Sequence, residues 1–207
     1  MKRNIIATLF NNQPQAFQAF SELKAYKQTS DTVIVQALLL KKENGVITQI
    51  DNHDFDAEIS NKALAGGLIG SAVGVLGGPF GMLLGGSLGA LFGTQIGATE
   101  TLGEVGLLYS TVEKMQDGDT VILVLALEKD ESTLDAFFGQ YDTVTARWDL
   151  QAVQDTVADK LKAEIDAQNI EQSAEKAKKA QERADKFNEF KADVQSKLDA
   201  FAKKFKS

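Results

Sequence analysis

The chain contains no cysteine. This excludes disulfides, thiolate nucleophiles and cysteine-ligated zinc or iron–sulfur centres, and it suits a reducing cytoplasm. Histidine occurs once, at His53, so side-chain nucleophile–base pairs have almost nothing to draw on. No GxSxG, HExxH or kinase-type motif is present either. The residues therefore point to a protein that is not an enzyme, with no catalytic residues, no metal, no cofactor and no identifiable small-molecule substrate. Basic excess is also missing. The 207 residues carry 22 Lys and Arg against 29 Asp and Glu, a net charge of −7. Such a chain repels phosphate backbones, and no basic stripe interleaved with aromatics appears, so no nucleic-acid partner is expected. The acidity is uneven. Residues 1–150 hold 10 basic and 18 acidic side chains, which leaves 12 and 11 of the totals for residues 151–207.

What is there reads as four zones: 1–58, 59–99, 100–150 and 151–207. In the first, the opening MKRNIIATLF is basic and then apolar, but Asn11-Asn12-Gln13-Pro14 ends the run too soon for a signal peptide. Asn4–Phe10 is instead expected as a strand. Pro14 suits the first turn of a helix, in which Phe17, Phe20, Leu23 and Tyr26 would line one face. Val33–Lys42 and Val46–Ile50 read as strands joined by the turn Glu43-Asn44-Gly45. In the third zone, Leu102–Met115 is expected to be helical, with Leu107, Leu108, Val112 and Met115 in the core. Asp117-Gly118-Asp119 breaks it, and Thr120–Leu127 is a strongly apolar strand. Glu131–Gln140 is expected to be helical and Thr143–Trp148 a short edge strand. With the second zone set aside, the order is β-α-β-β-α-β, an α+β ferredoxin-like plan with an insertion after the third strand.

That insertion is the most distinctive part of the chain. Residues 63–99 contain no charged side chain. Gly66, Gly70, Gly74 and Gly78 recur every four residues, and after Pro79 the pattern restarts as Gly81, Gly85, Gly89, Gly93 and Gly97. Residues four apart share a helix face, so each half would expose a groove of bare backbone along one side. Gly77, Gly78 and Pro79 supply the hairpin turn, since glycine tolerates unusual dihedrals and proline stops the first helix. Each glycine costs about 1 kcal/mol relative to alanine in a water-exposed helix. Close approach of two helices offsets that cost, above all where water is absent. Ile59–Gly78 and Phe80–Thr99 just reach the roughly 20 residues that cross a bilayer, although Ser60, Asn61 and Lys62 then lie at one edge. A membrane hairpin and a hairpin buried in a shared soluble core both satisfy the pattern. A phosphate-binding loop does not, because no lysine lies in the run.

Two further features are weaker. Asp51–Glu58 gathers His53 among carboxylates, but it lacks the glycine and ligand spacing of a calcium loop and reads as a solvated acidic linker. Residues 151–207 contain neither Gly nor Pro and are rich in Ala, Lys, Glu, Asp and Gln, so they read as long helix. Phe187, Phe190, Val194, Leu198, Phe201 and Phe205 form one apolar stripe with steps of three and four. The stripe suits a coiled-coil or bundle contact, or an anionic lipid surface that its flanking lysines would attract.

With ALAGGLIGSAVGVLGGPFGMLLGGSLGALFG followed by TLGEVGLLYSTVEKMQDGDTVILVLALEKD, the segment Val33 to Asp130 resembles a widespread bacterial family of predicted membrane proteins whose function is not established. With flanking elements the likeness covers roughly residues 4–150, and the tail departs from the family's short C-terminus. The resemblance implies a ferredoxin-like body with an inserted hairpin, and it supplies no catalytic residues and no substrate. The resulting expectation is a membrane-associated, self-associating protein at the cytoplasmic face of the cell membrane. Its role would be structural, in envelope or stress maintenance, with membrane lipid and further copies of itself as partners. The alternatives are a soluble cytoplasmic homo-oligomer that shares its hairpins in one core, and a pore lined by Ser71, Ser87, Thr94 and Gln95.

Overall fold

The computed structural model describes residues 1–44, 46–55, 115–155 and 174–204, together with 158, 159, 162 and 166. The glycine-zipper positions Gly66 to Gly97, the turn Gly77-Gly78-Pro79 and the expected helix up to Lys114 all lie outside the described residues. Five strands and three longer helices follow in the order β1 (Lys2–Phe10), α1 (Gln13–Lys24), β2 (Thr32–Glu43), β3 (Val46–Asp54), β4 (Thr120–Glu128), α2 (Ser132–Phe138), β5 (Thr143–Asp149) and α3 (Ala174–Lys204). The fold is α+β, built on one antiparallel sheet of order β3-β2-β4-β1-β5.

Each local element follows from its residues. Pro14 occupies the first turn of α1, where its missing N–H leaves no gap. Asn44 takes a left-handed φ of 52° in the β2–β3 turn, as asparagine tolerates. Gly118 sits at φ 99° just before β4, in a turn where the Asp119 carboxylate accepts the Gln116 N–H at 2.6 Å. All nine residues of β4 are buried. A strand buried on both faces is a central strand, and β4 pairs with β1 on one side and β2 on the other.

This corrects the sequence-based plan in one respect. That plan made Val46–Ile50 the third strand of a four-strand set. The register instead puts Val46–Asp54 at the sheet edge beyond β2, and gives the central place beside β1 to Thr120–Glu128. The physical reason is polarity, since Gln49, Asp51, Asn52 and Asp54 can be tolerated only on a strand with solvent at one side. Asp51–Asp54, read from the sequence as solvated linker, thus belongs to β3. Because β1 and β2 are both antiparallel to β4, they run in the same direction with β4 between them. Likewise β4 and β5 run in the same direction with β1 between them.

Alternation along the strands builds two cores. Ile6, Ile34, Leu39, Ile122 and Val124 face α1 and α2, meeting Ala16, Ala19, Phe20, Leu23, Leu134 and Phe138. Phe17, expected on the inner face of α1, is 40% exposed. It lies a third of a turn from the Ala16–Ala19–Leu23 line, where the two alanines let the helix sit close to the sheet. The opposite face, with Ile5, Val33, Leu38, Val121, Leu123, Leu125 and Trp148, packs against Phe187, Val194, Leu198 and Phe201 of α3. The sheet is therefore covered on both sides, and the tail helix is one of its covers.

Candidate functional site

Three places in the described residues bear on function. The first is where the insertion leaves and returns. β3 ends at Asp54 and β4 begins at Thr120, so residues 55–119 connect two strands that have β2 between them. Gln36 is registered with Asp54 on one side and with Leu125 on the other. Thr120 therefore lies five residues, roughly 17 Å, farther along the sheet. Near the departure point, the Gln36 amide donates to Asp54, His53 stacks edge-on against Phe55 at 4.5 Å, and the Phe55 N–H donates to the Val35 carbonyl at 3.1 Å. Lys24 donates to Asp51 at 2.9 Å and holds its carboxyl below the usual aspartate range. At the return, Lys42 donates to the Met115 carbonyl at 2.8 Å, and the Gly118 N–H donates to the Lys42 carbonyl at 2.8 Å. Both ends of the insertion are thus tied to the sheet by several hydrogen bonds. Among the described residues, no group of three acidic, histidine or cysteine side chains is placed to hold a metal ion.

The second place is the α3 stripe. Of the six stripe residues singled out in the sequence, Phe187, Val194, Leu198 and Phe201 are buried against the sheet. The side chains of Phe190 and Phe205 lie outside the described residues. The helix is also held by an ion pair between Arg3 and Asp199, and by one between Lys191 and Asp155. The stripe thus meets the chain's own sheet face, a contact that periodicity alone did not distinguish from a coiled coil or a lipid surface.

The third place was not singled out in the sequence. Glu128 closes β4 with a fully buried carboxylate. It accepts from Asn4 at 2.7 Å and from Arg147 Nε at 3.0 Å and a terminal nitrogen of Arg147 at 3.3 Å. Arg147 also reaches Asp135 at 2.8 Å and the Glu131 carbonyl at 3.3 Å, and Lys2 caps the cluster by donating to Glu131 at 3.0 Å. Burial opposes the charged guanidinium, but the hydrogen bond to Asp135 and the charge of Glu128 outweigh it, and the Arg147 pKa rises. Every charge in the group is met by its opposite, so the arrangement joins β1, β4, β5 and α2 rather than leaving a free acid or base. The signal in the sequence was slight: a glutamate ending an apolar run, and an arginine inside a short strand.

Between α1 and α2, Tyr141 donates to Glu22 at 2.7 Å and packs on Phe10. Desolvation, followed by the bond to Glu22, pushes the phenol up to about 12. A pKa raised by folding means stability that is whole below the unfolded value near 10 and is lost as pH climbs from about 10 to 12. Tyr141→Phe is expected to flatten that alkaline fall in melting temperature. Glu22, Asp51, Asp130, Glu131 and Asp155 are all held below the usual carboxylate range, chiefly by side-chain hydrogen bonds. Their contribution has the opposite sign: present above about pH 4.5, lost as pH falls through the lowered values. Thermal melts in steps from pH 7 to pH 3 should show a progressive drop that Tyr141→Phe leaves largely in place.

No helix among the described residues is long and apolar enough to cross a membrane. No family model, no curated protein and no solved structure matches the chain.

Proposed function

We propose that this is a non-enzymatic protein that associates with membranes and with itself through the glycine-zipper segment 59–99, carried as an insertion on a small α+β platform. In this reading β1, β2, β4 and β5 with α1 and α2 make a ferredoxin-like unit, and β3 is an added edge strand. Two observations support that unit: both pairs of like-directed strands enclose a third strand, and both connecting helices share one face. The membership in a family of predicted membrane proteins that the zipper and the following stretch imply belongs to the same proposal.

The observation that carries the functional reading is the path of the insertion. The chain departs at Asp54 and returns roughly 17 Å away along the sheet. Both ends are tied to the same sheet, as an inserted hairpin requires of the platform that carries it. The uncharged arms, with glycine every fourth residue, gain by packing backbone to backbone away from water.

Gly74→Leu and Gly89→Leu test this in the full chain, by fractionation after detergent-free lysis and by mass in a mild detergent. Wild type is expected in the membrane fraction as an oligomer, and each variant at lower mass. An oligomer found in the supernatant, and dissociated by the same variants, favours hairpins shared in a soluble core. Variants that fractionate and assemble like wild type would remove the zipper from the account.

A further inference from the structure

We propose that the outer edge of β5 receives an extended strand from a protein partner, a segment of alternating apolar and polar residues with a basic residue at each end. β5 ends the sheet on the side opposite β3, and the insertion departs from β3. Failure of this proposal therefore leaves the zipper reading standing. A strand at a sheet edge presents a row of unpaired N–H and C=O groups, a template for one more strand. Folded proteins blunt such edges with bulges and charges. β3 is blunted in this way: its register slips beside Leu39 and Leu40, and it carries Asp51 and Asp54. β5 is not. It pairs with β1 without a slip from Thr143 to Asp149, and it holds neither proline nor lysine. Arg147, its one cation, is drawn to Glu128 and Asp135. From Thr143 to Trp148, no described residue outside β1 makes a backbone hydrogen bond to the strand.

The side chains specify what fits. Val144, Ala146 and Trp148 alternate onto the α3 side of the sheet, where Trp148 is buried, Ala146 half-buried and Val144 61% exposed. Apolar residues at every second position of an added strand would lie beside this row and extend its layer. The positions between them meet Thr143, Thr145 and Arg147, and suit threonine, as Thr8 suits Thr145 through a hydrogen bond of 3.0 Å. The ends of the edge are acidic. Asp142 stands just before β5 and Asp149 closes it, and both are exposed. Asp142 accepts from Asn11 at 3.4 Å and Asp149 from the Ala152 N–H at 3.0 Å, and neither meets a cation among the described residues. A strand with basic ends would answer both carboxylates. A second copy would not, since two β5 strands laid antiparallel in full register set Asp142 of one against Asp149 of the other at both ends. Like charges directly opposite are destabilising.

The test titrates the full chain, in a mild detergent, with the peptide acetyl-Lys-Val-Thr-Val-Thr-Val-Thr-Lys-amide. Fluorescence of Trp148, the single tryptophan, is expected to change and saturate, and hydrogen exchange over 143–149 to slow. The same peptide with Glu at both ends should bind on the order of tenfold more weakly, since two attractions become two repulsions. Alternate residues of a paired strand bond to its neighbour. Of two peptides N-methylated either at the valines or at the threonines, one should therefore lose binding. Val144→Lys, at an exposed position, should weaken binding by about tenfold or more without moving the melting temperature. Asp142→Asn and Asp149→Asn keep acceptors for Asn11 and for the Ala152 N–H. Each should weaken the Lys-ended peptide by about two- to fivefold and leave a Thr-ended one unchanged. Equal binding of the Lys- and Glu-ended peptides, binding that survives both N-methylations, or no saturation up to about 1 mM overturns the proposal. So does a fall in oligomer size caused by Val144→Lys alone, which would give the edge to a second copy.

Discussion

Arg147→Met is expected to lower stability by about 3–5 kcal/mol, or roughly 10 °C in melting temperature for a chain of this size. The size comes from what is left behind rather than from what is removed. Glu128 is fully buried, and Arg147 supplies two of its hydrogen bonds. Methionine fills much of the arginine's volume but leaves the carboxylate with Asn4 alone. A buried charge without a counter-charge is among the few single changes that cost so much. The second half of the experiment separates this from simple loss of packing. Glu128→Gln in the Arg147→Met background removes the stranded charge and keeps an acceptor for Asn4, so the double variant should be more stable than the single one. Urea melts of the two single variants and the double variant close the cycle. A cost below about 1 kcal/mol for Arg147→Met would mean that the cluster behaves as a surface pair.

The same cluster shows where reading the sequence stops. The strands were legible because their apolar residues alternate or run continuously between turn signals, and β4 announced itself as a buried strand. The order of the strands was not legible. Placing Thr120–Glu128 between β1 and β2 depends on which edges meet, and that is decided by burial on both faces across the long stretch of chain from Phe10 to its partner Thr120. Glu128 and Arg147 are unremarkable separately and become a pair only once β1 has been laid between their strands. Phe17 misled for a related reason. Periodicity weights large apolar residues, whereas the face of α1 that meets the sheet is made as much by Ala16 and Ala19.

The tail illustrates a different limit. An amphipathic stripe says that a partner exists without saying what it is. Phe187, Val194, Leu198 and Phe201 are as well suited to a lipid surface as to a sheet, because both are apolar planes flanked by charge. What decides between them is the unclaimed face of β1, β2 and β4, and that face is visible only when the strands are assembled. The zipper glycines pose the same question for another partner. Their spacing identifies a packing surface, and the surface that meets it is the object of the Gly74→Leu and Gly89→Leu experiments.

Ending the chain before Ala174 is expected to have the largest effect of any change considered. Four buried apolar side chains leave with α3, and at about 1.5–3 kcal/mol each they represent roughly 6–12 kcal/mol of burial. A domain of this size holds only about 5–15 kcal/mol of net stability, so the truncated chain should lose its cooperative melt, bind a hydrophobic dye and aggregate. The sheet face it bares, with Val33, Leu38, Leu123, Leu125 and Trp148, has no polar residue to soften it at those positions. Single substitutions grade the effect. Phe187→Ala and Phe201→Ala should each cost about 3–5 kcal/mol, while Lys178→Ala, at an exposed position of the same helix, should change stability by less than about 0.5 kcal/mol. Gly74→Leu serves as the complementary control, since on this account it alters assembly and leaves the packing of sheet and tail intact. A chain ending at 173 that melts like the full protein would show that the tail's contact with the sheet is incidental.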